Sequence, residues 1–156
     1  APVSSMLEHG MTVGLGTDGP ASGNTLDLFT QMRFCANFHK NETGNRSVFP
    51  AKDIVSMATI WGAGALGLDK ITGSLEPGKE ADLVVVETDS PNMFPVYDPY
   101  SALVYSARAD NVRDVFVAGR CLVKDKQLVS RDFRQIREDL RQEMNQTAFG
   151  DMGNLV

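Results

Sequence analysis

Asp18 is the residue in this sequence best placed to do chemistry. It follows a short apolar run, Met11-Thr12-Val13-Gly14-Leu15-Gly16, and sits in a loop of glycine and small polar residues, Thr17-Asp18-Gly19-Pro20-Ala21-Ser22-Gly23-Asn24. A carboxylate at the C-terminal end of a barrel strand would face the mouth of the barrel, where active sites sit. There a hard oxygen donor could complete a metal site made mostly of imidazoles. It could also take a proton from a metal-bound water, whose pKa the metal lowers. A plainer role competes: Asp before Gly is common in turns, and Asp caps helices. On the local pattern alone the cap is the stronger reading.

Other candidate residues are weaker. Gly14-Leu15-Gly16-Thr17-Asp18-Gly19 has the GxGxxG shape of a dinucleotide fingerprint. Pro20 and the polar loop delay the helix that should meet a pyrophosphate, and no acidic residue closes a second strand about 20 residues on. His9 and His39 are the only histidines and form neither HxH nor HxxxH. Each lies near a helix end, where capping is the expected role. Ser22 and Asn24 are placed to touch a substrate, but small polar loop residues usually satisfy backbone. Trp61 reads as core. The stretch 90–96, Ser-Pro-Asn-Met-Phe-Pro-Val, borders a pocket or packs one part of the chain on another. A catalytic zinc site needs about three protein ligands, and the partners of Asp18 are not among these residues.

The elements that must position Asp18 follow from periodicity. Ala1 to Gly10 reads as a helix with Val3, Met6 and Leu7 on one face and a glycine at its end. The run 11–16 reads as a strand buried on both faces, the habit of parallel sheets. A helix is expected from about Thr25 to Lys40, with Leu26, Leu28, Phe29, Met32, Arg33, Cys35, Ala36 and Phe38 as its largely apolar body. Another opens at Pro50 and runs into the small residues 62–67. Helix, strand, helix is the rhythm of an α/β fold.

Composition then changes. Residues 74–79 form a turn and 81–87 a strand. Pro91 to Tyr100, with three prolines, is expected to be irregular, and 101–106 to be a short helix. Val112 to Ala118 alternates as a half-buried strand. Gly119-Arg120 is the expected hairpin turn, 121–124 the returning strand, and 125–127 a second turn. Arg131 to Gln146 reads as a charged helix with Phe133, Ile136, Leu140 and Met144 on one stripe, and Thr147 onward as a frayed end. Three parts result: residues 1–66, βα units; 67–130, a small β module; and 131–156, a terminal helix and tail.

The 156 residues are enough for one domain with a core. A formal net charge of −5 argues against nucleic acid or an anionic membrane as partner. No apolar run approaches the roughly 20 residues of a spanning helix, and no signal peptide is visible. Cys35 and Cys121, far apart and outside any CxxC, read as buried free thiols, which fits a reducing compartment and a cytoplasmic location. A chain that starts at Ala1 inside a helix is expected to be part of a longer protein.

The segment Gly14 to Asn24 resembles the eighth-strand region of the amidohydrolase superfamily. Gly73-Ser74-Leu75-Glu76-Pro77-Gly78-Lys79-Glu80-Ala81-Asp82-Leu83-Val84-Val85-Val86 resembles that superfamily's entry into its small β domain. Within it, Asp18 to Asn24, the helix with Leu28-Phe29 and Met32-Arg33, and Asp89 to Val96 look most like the 5-methylthioadenosine/S-adenosylhomocysteine deaminases, neighbours of the triazine hydrolases. The resemblance implies an α/β fold: the C-terminal part of a (β/α)8 barrel plus the C-terminal strands of a small composite β-sandwich. It implies one divalent metal, usually zinc, held by histidines and the aspartate, and a metal-activated hydroxide that attacks the purine carbon bearing the amino group. Asp18 matches the aspartate that is at once metal ligand, proton carrier and a residue at the substrate. The family's metal histidines and acid–base Glu lie earlier in the chain than anything present here. The implied substrate is a purine nucleoside or related heterocycle, and the implied full-length assembly a homo-oligomer. As a fragment lacking the N-terminal part of the barrel, the chain is expected to be inactive alone. The alternatives are a non-catalytic remnant acting as an interaction module, or a related chlorohydrolase or guanine/cytosine-type deaminase.

Overall fold

The computed structural model describes residues 1–146. The expectation of a frayed end from Thr147 lies outside them. Helices α1 (Val3–Glu8), α2 (Pro20–Gly23), α3 (Leu28–Thr43), α4 (Ala51–Ala58) and α5 (Ile60–Ala65) come first. A four-stranded antiparallel sheet follows, in the order β1 (Leu83–Val86), β2 (Val112–Val117), β3 (Arg120–Lys124), β4 (Gln127–Leu128). Between β1 and β2 lie the short α6 (Pro99–Ser101), a π-helical turn (Ala102–Ser106) and a 3-10 turn (Ala109–Asn111). Helix α7 (Phe133–Gln146) comes last.

The core belongs to the helical part. Val3, Met32, Ala36, Phe49, Ile54, Met57 and Val104 form one buried cluster, with Val13, Leu15, Phe29 and Trp61 packed against it. Helix α3 starts three residues later than its pattern predicts, because Asp27 caps it, accepting from the Phe29 amide at 2.9 Å and the Thr30 hydroxyl at 2.7 Å. It ends on Gly44 in the left-handed region, φ +63.

Two expectations need correction here. The helix from Pro50 does not run unbroken to the small residues; Thr59, at φ −131 and ψ −103, divides it into α4 and α5. The run 11–16 is not a strand buried on both faces. It is extended backbone with no ladder partner among the described residues, half-buried at Val13 and Leu15 and exposed at Met11, Thr12, Gly14 and Gly16. A strand is defined by its neighbours, and the described residues place none beside this segment.

What holds the segment is the break in the helix behind it. The Leu15 amide donates to the Met57 carbonyl at 3.0 Å. A Cβ on Gly14 would fall 2.7 Å from the Gly62 Cα, so only glycine permits this approach.

The sheet follows its turn chemistry. Ala118 and Gly119 both have positive φ, as a two-residue hairpin loop requires, so the turn lies one residue earlier than Gly119-Arg120. Asp125 and Lys126 make the second such turn. Neither is glycine, and the carboxylate of Asp114 accepts from the Asp125 amide at 2.9 Å, which anchors that turn. Helix α6 begins at Pro99, inside the stretch expected to be irregular, with Asp98 as its cap. On α7 the expected apolar stripe is largely exposed: Phe133 by 65% and Leu140 by 54%.

Two contacts join the helical part to the segment leading into the sheet. Arg33 Nη2 donates to the Ala107 carbonyl at 2.7 Å, and Lys40 bonds the Tyr105 hydroxyl while lying over its ring. Asn111, 3% exposed, ties down the rest. Its Oδ1 accepts from Asn92 Nδ2 at 2.8 Å and from the Arg108 amide at 3.0 Å, and its Nδ2 donates to Ser90 Oγ at 2.8 Å. Asn111→Ala orphans these groups and is expected to destabilise the protein by about 1–3 kcal/mol. Denaturant unfolding checks it; an unchanged midpoint would contradict the network's role.

Candidate active site

Asp18 ends the extended segment, exposed to solvent, in the left-handed region at φ +58. Non-glycine residues rarely adopt this conformation, though Asp tolerates it better than most. Its carboxylate turns back on the loop: Oδ1 accepts from the Gly19 amide at 2.7 Å. The Ser22 side chain lies near enough to favour the ionised form of the same carboxylate. Thr17 Oγ1 donates to the Asp18 carbonyl at 3.1 Å.

The loop's fold brings Ser22 there. Pro20 starts the single turn of α2, with the Ser22 and Gly23 amides donating to the Gly19 carbonyl at 3.0 and 2.9 Å. Asn24 closes it at φ +56. A Cβ on Gly23 would meet the Thr17 carbonyl oxygen at 3.2 Å, so a small residue is favoured at this crossing.

These bonds answer the question of cap or ligand in part. The cap position of α2 is Gly19, and no side chain caps that helix. The Asp18 carboxylate instead accepts from the amide beside it. Its carboxyl is held below the usual carboxylate range, the Gly19 amide contributing most and Ser22 next, against the opposing effect of burial. An exposed, ionised carboxylate with unused lone pairs is chemically suited to a divalent cation.

The other candidates do not join it. His9 Nδ1 bonds the Ser5 carbonyl at 2.7 Å, at the end of α1. The His39 ring packs on Phe49 with centroids 4.8 Å apart, and its Nδ1 faces Glu42 Oε2 at 3.3 Å. His9 has the helix-terminal role that the sequence predicts, whereas His39 lies within α3 and packs on Phe49 instead of capping the helix end. Cys35 and Cys121 are free and half-buried, less enclosed than expected, and burial pushes the Cys35 thiol up. Among the described residues, no three His, Cys, Asp or Glu side chains gather where they could hold a metal. Asp18 therefore fits one position in a coordination shell, and the described residues by themselves do not fit a complete one. Sequence reasoning gave Ser22 no role toward Asp18. The i to i+4 spacing across a Pro-initiated turn was the available signal.

Residues 1–122 match the amidohydrolase family, and the chain belongs to that family. It is 43% identical over 141 residues to a 5-methylthioadenosine/S-adenosylhomocysteine deaminase of Syntrophus aciditrophicus, an alignment covering 90% of this chain and 32% of that protein. It is 44% identical over 141 residues to a 5'-deoxyadenosine deaminase of Methanosarcina acetivorans, with the same coverage of 90% and 32%. Among solved structures, a zinc-bound adenosine deaminase from Xanthomonas campestris superposes with a TM-score of 0.88 at 32% identity, over 94% of this chain and 33% of that one. The zinc-complexed atrazine chlorohydrolase of Arthrobacter aurescens superposes with a TM-score of 0.82 at 31% identity, over 89% of this chain and 31% of that one. The chain thus spans about a third of the length of the relatives it matches, and its fold is part of an α/β hydrolase domain. Among the described residues no helix is long and apolar enough to cross a membrane.

The stability conferred by the Asp18 bonds is present in full above the usual carboxylate range and is lost as pH falls through and below it. A carbon-13 titration of the Asp18 carboxyl should give a midpoint below that of an unstructured aspartate. A midpoint equal to or above it would contradict the hydrogen-bonded geometry.

Proposed function

We propose that this chain acts as the C-terminal third of a metal-dependent aminohydrolase that deaminates an adenosine-type nucleoside, such as 5-methylthioadenosine or S-adenosylhomocysteine. The observation that carries the reading is the exposed, ionised Asp18 at the end of an extended segment, in a chain that closely matches deaminases over 90% of its own length. The remaining metal ligands and the acid–base Glu come from barrel strands outside this chain. Zinc suits the reading, because it is the metal in two of the solved relatives.

The reaction adds water to the purine carbon bearing the amino group and releases ammonia. A C–O bond forms, the C–N bond breaks, and protons move from the water to the departing nitrogen. When bound, a divalent metal supplies Lewis acidity toward the water. Asp18 contributes one oxygen ligand and, through its unused lone pairs, accepts the proton the attacking water gives up. The Gly19 amide, and Ser22 after it, favour the ionised form of that carboxylate. The Leu15–Met57 bond and the Gly14–Gly62 contact fix the backbone that carries it. The compartment is proposed to be the cytoplasm and the full-length protein a homo-oligomer, both on the family resemblance.

Ammonia release decides the reading. The full-length protein containing this segment should deaminate 5'-deoxyadenosine or methylthioadenosine. The 156-residue chain alone should release none. A full-length protein that binds no metal and deaminates no purine nucleoside would overturn the reading in favour of a non-catalytic interaction module.

A further inference from the structure

We propose that α7 is a self-association surface: two copies of this chain pair their α7 helices side by side and parallel, with the apolar stripe buried between them. Phe133, Ile136 and Leu140 recur three and four residues apart. On a helix of about 3.6 residues per turn that spacing makes one stripe. The stripe is open to solvent. Phe133 and Leu140 are each more than half exposed, and from residue 131 to residue 145 only Ile136 is half-buried, the rest being exposed. A 14-residue helix is marginal in water unless its apolar side is covered.

The charges beside the stripe say what covers it. By the same helical period, Arg134, Arg137 and Arg141 fall along one edge, and Asp139 and Glu143 along the other. Asp132 shares the acidic edge, but its carboxylate accepts from the Arg134 amide at 2.8 Å and closes the first turn. Within the helix, Arg141 pairs with Glu138 at 3.5 Å and Asp139 accepts from Gln135 Nε2 at 2.8 Å. Such contacts between exposed side chains hold weakly. A twofold axis parallel to the helices sets the arginine edge of each copy against the acidic edge of the other, on both sides of the seam. A twofold axis across the helices would set arginine against arginine and carboxylate against carboxylate. The helix therefore carries its own complement in the parallel orientation. A nucleic acid or an anionic membrane would want basic residues on both edges, and the acidic edge repels either. The inference needs nothing from the deaminase reading and gives the proposed homo-oligomer a surface.

The test uses the full-length protein, with sedimentation velocity over a concentration series, Tm, and oxidative cross-linking of cysteine variants. The parent should show a dimer that added salt weakens, because the edge contacts are screened. Reversing the arginine edge, with Arg134→Glu, Arg137→Glu and Arg141→Glu together, should weaken the dimer by about tenfold or more, with Tm of the monomer little changed. Adding Asp139→Arg and Glu143→Arg to that chain exchanges the two edges and should restore the dimer. Ile136→Cys should cross-link into a covalent dimer, since parallel pairing brings residue 136 of the two copies together. Gln142→Cys, on the outer face, should not, and the parent with its native Cys35 and Cys121 is the control. A protein that stays monomeric overturns the proposal, and so does a dimer indifferent to the edge reversal or one that Ile136→Cys fails to cross-link; the stripe is then covered from within one copy or by a different partner. Ammonia release is read separately, so failure here leaves the deaminase reading standing.

Discussion

The contact of Gly14 with Gly62 is the constraint on which the site depends. Two backbones meet there with no room for a Cβ, 2.7 Å from Cα where one would stand. The Leu15 amide bonds the Met57 carbonyl just before the helix breaks at Thr59. The break and the contact belong together: α4 ends, its carbonyl turns to the extended segment, and α5 resumes with small residues facing it. The segment lacks a strand neighbour among the described residues, yet one amide bond and one close packing point hold it against the buried cluster. Asp18 is carried at its end.

Electrostatics then decides what Asp18 can do. An exposed carboxylate alone would titrate as any aspartate does. The Gly19 amide and, after it, Ser22 favour its ionised form, and the residue is exposed to solvent. The same logic of one carboxylate holding a turn recurs in the sheet. Asp114 accepts from the Asp125 amide, and Asp82 accepts from the Ala118 amide and the Thr72 hydroxyl, each at 2.7 Å. Asp18, like them, accepts from a backbone amide, and it is exposed where Asp114 is buried.

Much of this was legible in the residues. Positions with glycine or alternating apolar residues gave the first hairpin, though with its turn one residue late, and the end of α1, because turn geometry and side-chain period are local. The two family-like segments placed Asp18 correctly at the end of the extended run. The division of the helix at Thr59 was not legible, since it depends on what packs behind residues 57–62. Burial of the run 11–16 failed for a related reason: its apolar, glycine-rich composition is suited to strand neighbours, and none lies beside it among the described residues. The link from Ser22 to Asp18 was missed because a small polar loop residue carries no signal until the turn is folded.

The exposed apolar surface fits the same picture. Phe34 and Phe38 stack on the outer side of α3, 46% and 65% exposed, and the α7 stripe lies open. The most direct test of the central claim is a crystal structure of the full-length protein with zinc. It should place an Asp18 carboxylate oxygen about 2.0–2.2 Å from the metal. Zinc bound by other residues, with Asp18 turned away to solvent, would contradict the account.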